Sequence, residues 1–399
     1  MTIRLYNEDS QIRTFQGNVL RCTPCEEPQL KGKYWAVLDR TAFFPEGGGQ
    51  SGDVGDLYLL ADKEKNVPVL DTVEQAGEVR HLVAQQIETN APIRGEINWD
   101  VRFDRMQQHT AEHIASGIIY AKYGYNNIGF HLADQYVTMD FDGELTKEEV
   151  GEVEACINQV VFANREVHIT YPSKEELAKI PYRSKIEIEG EVRIVTIPEV
   201  DICACCAPQV SKTGEIGTVK ITEVQRHRGG VRMTLLAGMR AYSDYKKKYE
   251  SIKELSHTFS VPDEEVLDGV VKVKTEIQKV KLELQQVQEL LITNIVNSVS
   301  QEQSKVCIFQ NGITVNGSRE IVNRLLRKMH EIVAVFTENE TGGYQYVIGS
   351  NQYDTRIYSK IFNELYDGRG GGRPNMVQGS VVIDQLVLED FYNNFSCKQ

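Results

Sequence analysis

The chain has 399 residues, of which 41% are hydrophobic and 25% are charged, and its formal net charge is -13. This length suits two or three domains with their own cores, and the composition excludes a disordered or fibrous chain. No apolar run reaches about 18 residues and the first residues lack the apolar segment of a signal peptide, so the sequence predicts no membrane span and a cytoplasmic location.

Residues 1–95 show the pattern of strands and turns. Stretches rich in β-branched and aromatic residues, at Tyr34–Leu38, Val69–Val73 and Val79–Val83, are separated by segments that contain Gly, Asp, Asn and Pro. The sequence therefore predicts a small N-terminal β-barrel. Cys22 and Cys25 form a C-x-x-C pair here, which fits two half-buried thiols, a second zinc half-site or a redox pair.

Residues 96–240 alternate between helical and strand-like segments. A helix is predicted from Arg102 to about Tyr123. Further helices are predicted at Lys147–Ala163 and Lys174–Ile180. Further strands are predicted at Tyr136–Phe141, Val167–Tyr171, Val192–Ile197, Gly217–Glu223 and Gly230–Ala237. This alternation predicts an α+β domain, so that the whole chain belongs to the α+β class.

Residues 241–300 predict a long helix with one interruption near Pro262. After that proline, apolar residues recur at alternating steps of four and three, which is the heptad pattern of a coiled coil. The seam contains Val266, Val270, Val273, Ile277, Val280, Leu284, Val287 and Leu291. It fits a homodimer through this helix and fits an intramolecular helical hairpin equally well.

Residues 301–399 predict a C-terminal α/β domain. Strands are expected at Val306–Phe309, Ile332–Thr337 and Gln345–Ile348, and helices at Ser318–Met329 and Ser359–Leu365. The following segment, Gly368–Ser380, combines glycines with arginines and is predicted to be a flexible, basic loop. Such a loop lets phosphates approach main-chain amides, although the same composition also suits a turn that needs glycine for its geometry alone.

A split set of metal ligands is the most specific chemical signal. His109 and His113 have i, i+4 spacing, which places both imidazoles on one face of a helix. Cys203, Cys205 and Cys206 lie within four positions, too close for ordinary disulfides, and predict thiols in a reducing compartment. Two histidines and one thiolate suit zinc, and three protein ligands leave a position for catalysis.

His109–His113 also matches a zinc-peptidase pattern in which Glu112 is the general base. That class needs a carboxylate as its third ligand, whereas this chain offers thiolates. Cleavage of unstructured protein substrates would distinguish the peptidase alternative.

Several motifs together carry a family resemblance. The histidine motif follows Arg102–Met106, and it is accompanied by Thr41–Asp53 and Thr213–Gly217. In the same order, these segments resemble the editing domain of alanyl-tRNA synthetases, and Gly371–Gly379 resembles the signature of the C-terminal domain of the same enzymes. The chain is similar to a freestanding, long alanyl-tRNA editing protein.

This resemblance implies that the chain removes serine from mischarged Ser-tRNA(Ala) in trans by zinc-assisted ester hydrolysis, with Gly-tRNA(Ala) as an open second substrate. The implied partner is tRNA, the implied cofactor is Zn²⁺, and a homodimer through the long helix or the C-terminal domain stays open. The implied catalytic residues are Thr41, Gln50 and His131. The implied substrate-binding residues are Gly47, Gly48, Gly49, Arg369 and Arg373.

One position departs from the family pattern. The C-x-x-x-H ligand pair of the family falls on Cys205 and Gln209, so that glutamine stands where a histidine ligand is expected. An amide oxygen is a weak zinc ligand. The predicted metal set is His109, His113 and Cys205, with either water, Gln209 or another of the three clustered cysteines in fourth place. A catalytically weakened tRNA-binding protein of the same fold is the alternative function.

Overall fold

The computed structural model describes residues 2–184, 190–339 and 342–394, and the last five residues of the predicted C-terminal domain lie outside these ranges. The chain divides into two compact units, residues 1–253 and 254–399. The first unit contains a barrel and an α+β layer, and the second is built on a separate sheet. Within the described residues, no helix has the length and apolarity needed to cross a bilayer.

The first part of the chain closes into a six-stranded barrel. Up to residue 97 the described elements are α1 (Leu5–Glu8), β1 (Ile3–Arg4), β2 (Thr14–Pro24), β3 (Tyr34–Leu38), β4 (Arg40–Thr41), β5 (Gly55–Leu59), β6 (Asp62–Gln75), β7 (Glu78–Val83) and β8 (Pro92–Ile97). The barrel order is β2-β3-β7-β6-β5-β8. The barrel closes at β2, because the first half of this strand pairs with β8 and its second half with β3. Val19, Leu38, Leu57 and Ile93 fill its interior. The predicted barrel is confirmed.

The rest of the first unit packs helices against two antiparallel sheets. Its elements are α2 (Trp99–Tyr123), β9 (Asn127–Leu132), β10 (Val137–Phe141), α3 (Lys147–Phe162), β11 (His168–Thr170), α4 (Lys174–Leu177), β12 (Ile194–Ile197), β13 (Asp201–Ala204), β14 (Val219–His227) and β15 (Gly230–Ala237). One sheet has the order β14-β15-β10-β9 and the other β11-β12-β13. This arrangement confirms the predicted α+β class.

Helix α2 runs through the interior of this unit. Asn98 caps its first turn by accepting a hydrogen bond from the Val101 amide, and Gly124, with φ +74°, ends it. Residues 106–117 are buried on every side of the helix. Because several of these buried residues are polar, their side chains need partners from the surrounding elements.

Gly117 sets how closely the smaller sheet approaches α2. A Cβ at this position would lie 2.4 Å from the carbonyl oxygen of Val200 and 2.8 Å from the Cβ of Asp201. Only a residue without a side chain allows this contact. The close approach brings β13, and the cysteines that follow it, beside His113.

Two helices follow the second sheet. They are α5 (Gly238–Phe259) and α6 (Val266–Ser298), separated at Val261-Pro262 as the sequence predicts. The heptad residues of α6 remain exposed along much of its length, with Ile277 at 50% and Val280 at 60%. The partner of this seam therefore stays a prediction.

The second unit contains a five-stranded mixed sheet with helices on both faces. Its elements are β16 (Lys305–Phe309), α7 (Val315–Arg327), β17 (Ile332–Glu338), β18 (Tyr344–Ser350), α8 (Arg356–Leu365), β19 (Arg369–Arg373), β20 (Met376–Val381) and α9 (Gln385–Asn394). The strand order is β16-β17-β18-β20-β19, with β16 and β17 parallel and the other pairs antiparallel. Separate apolar clusters pack α7 against one face and α8 and α9 against the other.

The glycine–arginine segment differs from its prediction. A flexible loop was the wrong expectation, because β19 and β20 pair as an antiparallel hairpin in which Gly370 lies opposite Gly379. A Cβ on Gly370 would lie 2.1 Å from the hydroxyl oxygen of Tyr346, and one on Gly379 would lie 2.6 Å from it. Part of the glycine content is thus needed for packing over Tyr346.

Candidate metal centre

His109 and His113 lie one turn apart on α2, as their spacing predicts. Their rings are nearly parallel, with centroids 5.3 Å apart and planes 10° apart. Each residue is only 2% exposed. Both imidazoles therefore point to the same buried side of the helix.

A different element holds each imidazole. The Nδ1 of His109 lies 3.1 Å from Oε1 of Gln50, in the barrel, and the Nδ1 of His113 lies 3.1 Å from Oδ2 of Asp201, on β13. Because both partners are oxygen acceptors, Nδ1 carries the hydrogen in the neutral ring and Nε2 presents its lone pair. Metal-binding histidines are oriented in the same way by an oxygen on the second nitrogen.

The Nε2 atoms converge on thiols. His113 Nε2 is buried without a hydrogen bond among the described residues and faces Cys203 and Cys205. The Sγ of Cys205 lies 3.5 Å from Nε2 of His109, and the ligand atoms of His109, His113 and Cys205 lie within 4.8 Å of one another. Ligand atoms around a tetrahedral zinc are about 3.3–3.7 Å apart, so this set fits zinc after a small adjustment.

The electrostatics of the cluster favour a thiolate. Burial opposes ionisation of Cys205, but the pKa of this thiol is held well below its ordinary value because His109 and His113 face the sulfur. Burial likewise disfavours a charged His113, yet its pKa is raised well above the ordinary value by the Asp201 carboxylate and the neighbouring thiols. A thiolate is the form of cysteine that binds metals.

Gln209 lies beside this set and is buried. Its Oε1 accepts a hydrogen bond of 2.7 Å from the Thr110 hydroxyl, and its Nε2 donates to the Ala207 carbonyl at 3.3 Å. The same Nε2 lies 3.8 Å from Sγ of Cys205. In this orientation the amide presents a donor to the thiolate, while its oxygen is directed to Thr110.

Cys203 and Cys206 occupy different positions. The ligand atoms of Cys203, His113 and Asp201 also lie within 4.8 Å of one another, and Asp201 is bound by Nε and Nη2 of Arg183 at 2.8 and 2.9 Å. Cys206 lines the cavity and is exposed as a residue, and desolvation of its sulfur together with the nearby Cys205 raises its pKa to about 11. Cys203 is thus the more deeply placed of the two additional thiols.

The glycine loop of the barrel closes one side of the site. Gly48 and Gly49 have φ of +60° and +81°, and a Cβ on Gly49 would lie 2.6 Å from the Phe130 ring. The Phe130 ring in turn packs on His109, with centroids 4.8 Å apart. The loop is therefore wedged against the β9 residue that covers the first histidine.

A buried ion pair fixes this loop to α2. Asp53, which follows the glycines, accepts hydrogen bonds from Nε of Arg102 and from the Phe44 amide. Arg102 also donates to the carbonyls of Ala42 and Ser10. Both charged groups are 1% exposed. The hydrogen-bond acceptors of the guanidinium are Ser10, Ala42 and Asp53, which all lie in the N-terminal part of the chain that forms the barrel.

The loop, the histidines and the cysteines surround a cavity of about 560 Å³. Its apolar walls are formed by Gly48, Gly49, Ile128 and Phe130. Its polar groups come from Glu112, Arg193 and the candidate metal ligands. The Nη1 of Arg193 also donates to the carbonyls of Cys205 and Ala207 and so holds the cysteine loop. A cavity of this size, mostly apolar with a few polar groups, suits a small organic moiety.

None of the three expected catalytic residues lines this cavity, and of the three Gln50 contacts it indirectly, through His109. Thr41 is fully buried; its hydroxyl lies 2.8 Å from Nε2 of His81 and accepts from the Phe43 amide. Burial lowers the pKa of His81 to about 4, so this imidazole is neutral. Because Nδ1 of His81 donates to the Ala36 carbonyl, its Nε2 accepts the Thr41 hydrogen. His131 is exposed on β9, where it follows Phe130 and points away from the cavity.

Sequence reasoning missed three participants in this site. Asp201, Phe130 and Arg193 respectively orient His113, cover His109 and hold the cysteine loop. Asp201 precedes the cysteines closely, but an aspartate beside a strand is common and gives no signal by itself. Arg369 and Arg373 belong to the second unit, where both are exposed on β19.

Comparison with known proteins supports the motif-based resemblance. Residues 192–232 match the family described as the threonyl and alanyl tRNA synthetase second additional domain. This region contains Cys205 and Gln209. The alanine–tRNA ligase of Pyrococcus abyssi is 28% identical over 402 residues, and that of Pyrococcus furiosus is 28% identical over 399. Each alignment covers 95% of this chain but 42% of the ligase, so the chain spans less than half the length of these relatives.

A relative of similar length extends this resemblance over nearly the whole chain. The alanyl-tRNA editing protein AlaX-L of Pyrococcus horikoshii is 24% identical over 402 residues, covering 96% of this chain and 95% of that protein. The resemblance to the long alanyl-tRNA editing proteins is confirmed. The similarity to this editing protein extends through both compact units, including the sheet that carries the glycine–arginine hairpin.

The orientation of His113 by Asp201 yields a test of the metal site. Asp201→Asn keeps the shape of the side chain but removes its charge, so zinc should bind 10- to 100-fold more weakly, as is typical when such a partner is lost. Chelator competition on the purified protein measures the Kd. Asp140→Asn is the matched control, because Asp140 has the same two-pronged contact with Arg232 and lies 3.7 Å from His227. Equal Kd values for both variants would contradict the assigned role of Asp201.

Proposed function

We propose that this chain is an aminoacyl-tRNA deacylase that removes serine from mischarged Ser-tRNA(Ala) by zinc-assisted ester hydrolysis. This proposal rests on the ligand atoms of His109, His113 and Cys205, which converge in a cavity that the glycine loop closes on one side. The similarity to AlaX-L, an alanyl-tRNA editing protein, supports tRNA as the substrate carrier. Gly-tRNA(Ala) is a second candidate substrate, and its hydrolysis would need a discrimination against alanine that does not depend on a side-chain hydroxyl.

His109, His113 and Cys205 would hold the zinc ion, with the fourth position available for water or substrate. Zinc bound there would polarise the ester carbonyl and lower the pKa of a bound water. Gln50 and Asp201 keep the two imidazoles in the tautomer needed for binding, and Gln209 donates toward the Cys205 sulfur. In this proposal Gln209 supports the thiolate and is not itself a ligand.

Serine must be distinguished from alanine by one hydroxyl group. A site that hydrogen-bonds this hydroxyl leaves buried polar groups unpaired when alanine enters, which can give discrimination of about 10⁴-fold or more. Thr41 is the proposed reader. Its hydroxyl donates to His81 and accepts from the Phe43 amide, and it is buried outside the described lining of the cavity, so this role requires the site to open toward Thr41 when substrate binds. Gly47, Gly48 and Gly49 would then border the bound aminoacyl group. His131 is proposed to support the site indirectly, from the outer side of β9, without contacting the substrate.

A binding protein with weakened hydrolysis is the second candidate function. Gln209 favours it, because an amide stands where the family has a histidine ligand. A site with three protein ligands binds zinc less tightly than one with four, so low occupancy would reduce turnover.

Deacylation of Ser-tRNA(Ala) and Ala-tRNA(Ala), with zinc content assayed on the same sample, tests the proposal. We expect zinc-bound protein to release serine and to spare alanine, and Thr41→Val to retain zinc but lose this selectivity. No hydrolysis by zinc-bound protein would contradict the proposal and favour a binding role. Protein that binds no zinc and becomes active through Gln209→His would identify Gln209 as the cause of inactivity.

The second unit is proposed to bind tRNA. Arg369 and Arg373 are exposed at the two ends of β19, and Arg373 borders a cavity of about 580 Å³ that also contains Arg319 and Asn323. Guanidinium groups bind phosphate oxygens, and the three glycines between these arginines leave the backbone of β19 accessible to a nucleic-acid strand. A homodimer through α6 or this unit remains part of the proposal, since the heptad face of α6 is exposed.

Removing both β19 arginines should weaken tRNA binding and reduce its salt dependence. Each lost phosphate contact lowers the slope of log K against log salt by about 0.7–0.9, so Arg369→Ala/Arg373→Ala should reduce it by up to about 2. Filter binding at several salt concentrations measures this slope. Arg356→Ala is the control, because Asp354 already neutralises that arginine in the same unit. An unchanged slope in the double variant would exclude phosphate contact by β19.

A further inference from the structure

Glu112 lies between the two metal-binding histidines in sequence and is only 2% exposed, yet its side chain borders the cavity. Its Oε1 accepts a hydrogen bond of 2.8 Å from the Ser116 hydroxyl and one of 2.6 Å from Nδ2 of Asn127. Asn127 is itself fixed, because its Oδ1 accepts from the Gly129 amide at 3.1 Å. The carboxylate therefore has a defined position in the cavity wall.

A buried carboxylate is costly unless donors or cations compensate its charge. Ser116 and Asn127 provide such donors on one oxygen, and the guanidinium of Arg183, which is paired with Asp201, lies within electrostatic reach of the carboxylate. An uncharged residue at this position would need none of these partners. A carboxylate held in this way in the wall of the cavity is a suitable partner for a cationic group that enters it.

The proposed substrate carries such a group. An aminoacyl ester has a free α-amino group, and α-amino groups are partly protonated near neutral pH because their ordinary pKa lies at about 7.7–8.0. The amino group and the ester carbonyl are bonded to the same α-carbon. An amine held at Glu112 therefore keeps the ester on the side of the cavity where His109 and His113 lie.

We propose that Glu112 binds the α-ammonium group of the aminoacyl ester and so restricts the site to substrates with a free amino group. This inference rests on the proposed deacylase function and adds a recognition element to it. It differs from a general-base role for Glu112, because a base that activates water acts on every ester in the site, whether or not the amine is blocked.

N-acetyl-Ser-tRNA(Ala) separates these roles, because acetylation removes the positive charge but leaves the ester intact. The zinc-bound wild-type protein should hydrolyse Ser-tRNA(Ala) with kcat/KM about 10- to 100-fold above that for the acetylated substrate, as expected for a hydrogen bond between charged groups. Glu112→Gln should lose this preference by slowing the free-amine substrate while leaving the acetylated one unchanged. Glu112→Asp, which retains the charge, should keep part of the preference.

Asp104→Asn is the matched control, because Asp104 is a hydrogen-bonded carboxylate on the same helix, paired with Arg240 and outside the cavity lining. This variant should keep the wild-type preference. Equal hydrolysis of both substrates by the wild-type protein would overturn the inference and leave the deacylase function intact, even if Glu112→Gln failed to fold. Equal loss on both substrates in a folded, zinc-bound Glu112→Gln protein would overturn it in favour of a general base. Hydrolysis of neither substrate by the wild type would overturn both proposals.

Discussion

The buried ion pair between Asp53 and Arg102 is the contact on which the arrangement of the site depends. It joins the end of the glycine loop to the first turns of α2, and both charges are almost fully removed from water. Losing one partner of such a pair costs about 3–5 kcal/mol, because the remaining charge is left buried and unpaired. The pair thus fixes the glycine loop in register with the histidines that lie two and three turns further along the helix.

The candidate metal centre is assembled from three elements that are distant in sequence. Helix α2 supplies both imidazoles, the barrel supplies Gln50, and the small sheet supplies Asp201 and leads directly to Cys205. Each imidazole is oriented from a different side, so neither the barrel nor the sheet alone prepares the site. Because Gly117 has no side chain, α2 and β13 lie close enough for Asp201 to reach His113.

Much of this organisation follows from local patterns in the sequence. The strand periodicity of residues 1–95 correctly predicted a barrel, and the i, i+4 spacing correctly placed both histidines on one helix face beside the cysteine cluster. That these side chains are metal ligands stays a prediction. The orientation of His113 by Asp201 was not predictable, because it depends on a close approach that only the folded chain reveals. The glycine–arginine hairpin was predicted as a loop for a similar reason. Its glycines fit over Tyr346, which is distant in sequence, and local composition does not distinguish that packing from flexibility.

We propose that His109, His113 and Cys205 form the zinc-binding set, with no second cysteine among the ligands. X-ray absorption at the zinc edge of the purified protein tests this most directly. For this set we expect two imidazole nitrogens at about 2.0 Å, one sulfur at about 2.3 Å and one further light atom for each zinc ion. Two sulfurs per zinc would contradict it, because Cys203 or Cys206 would then complete the site.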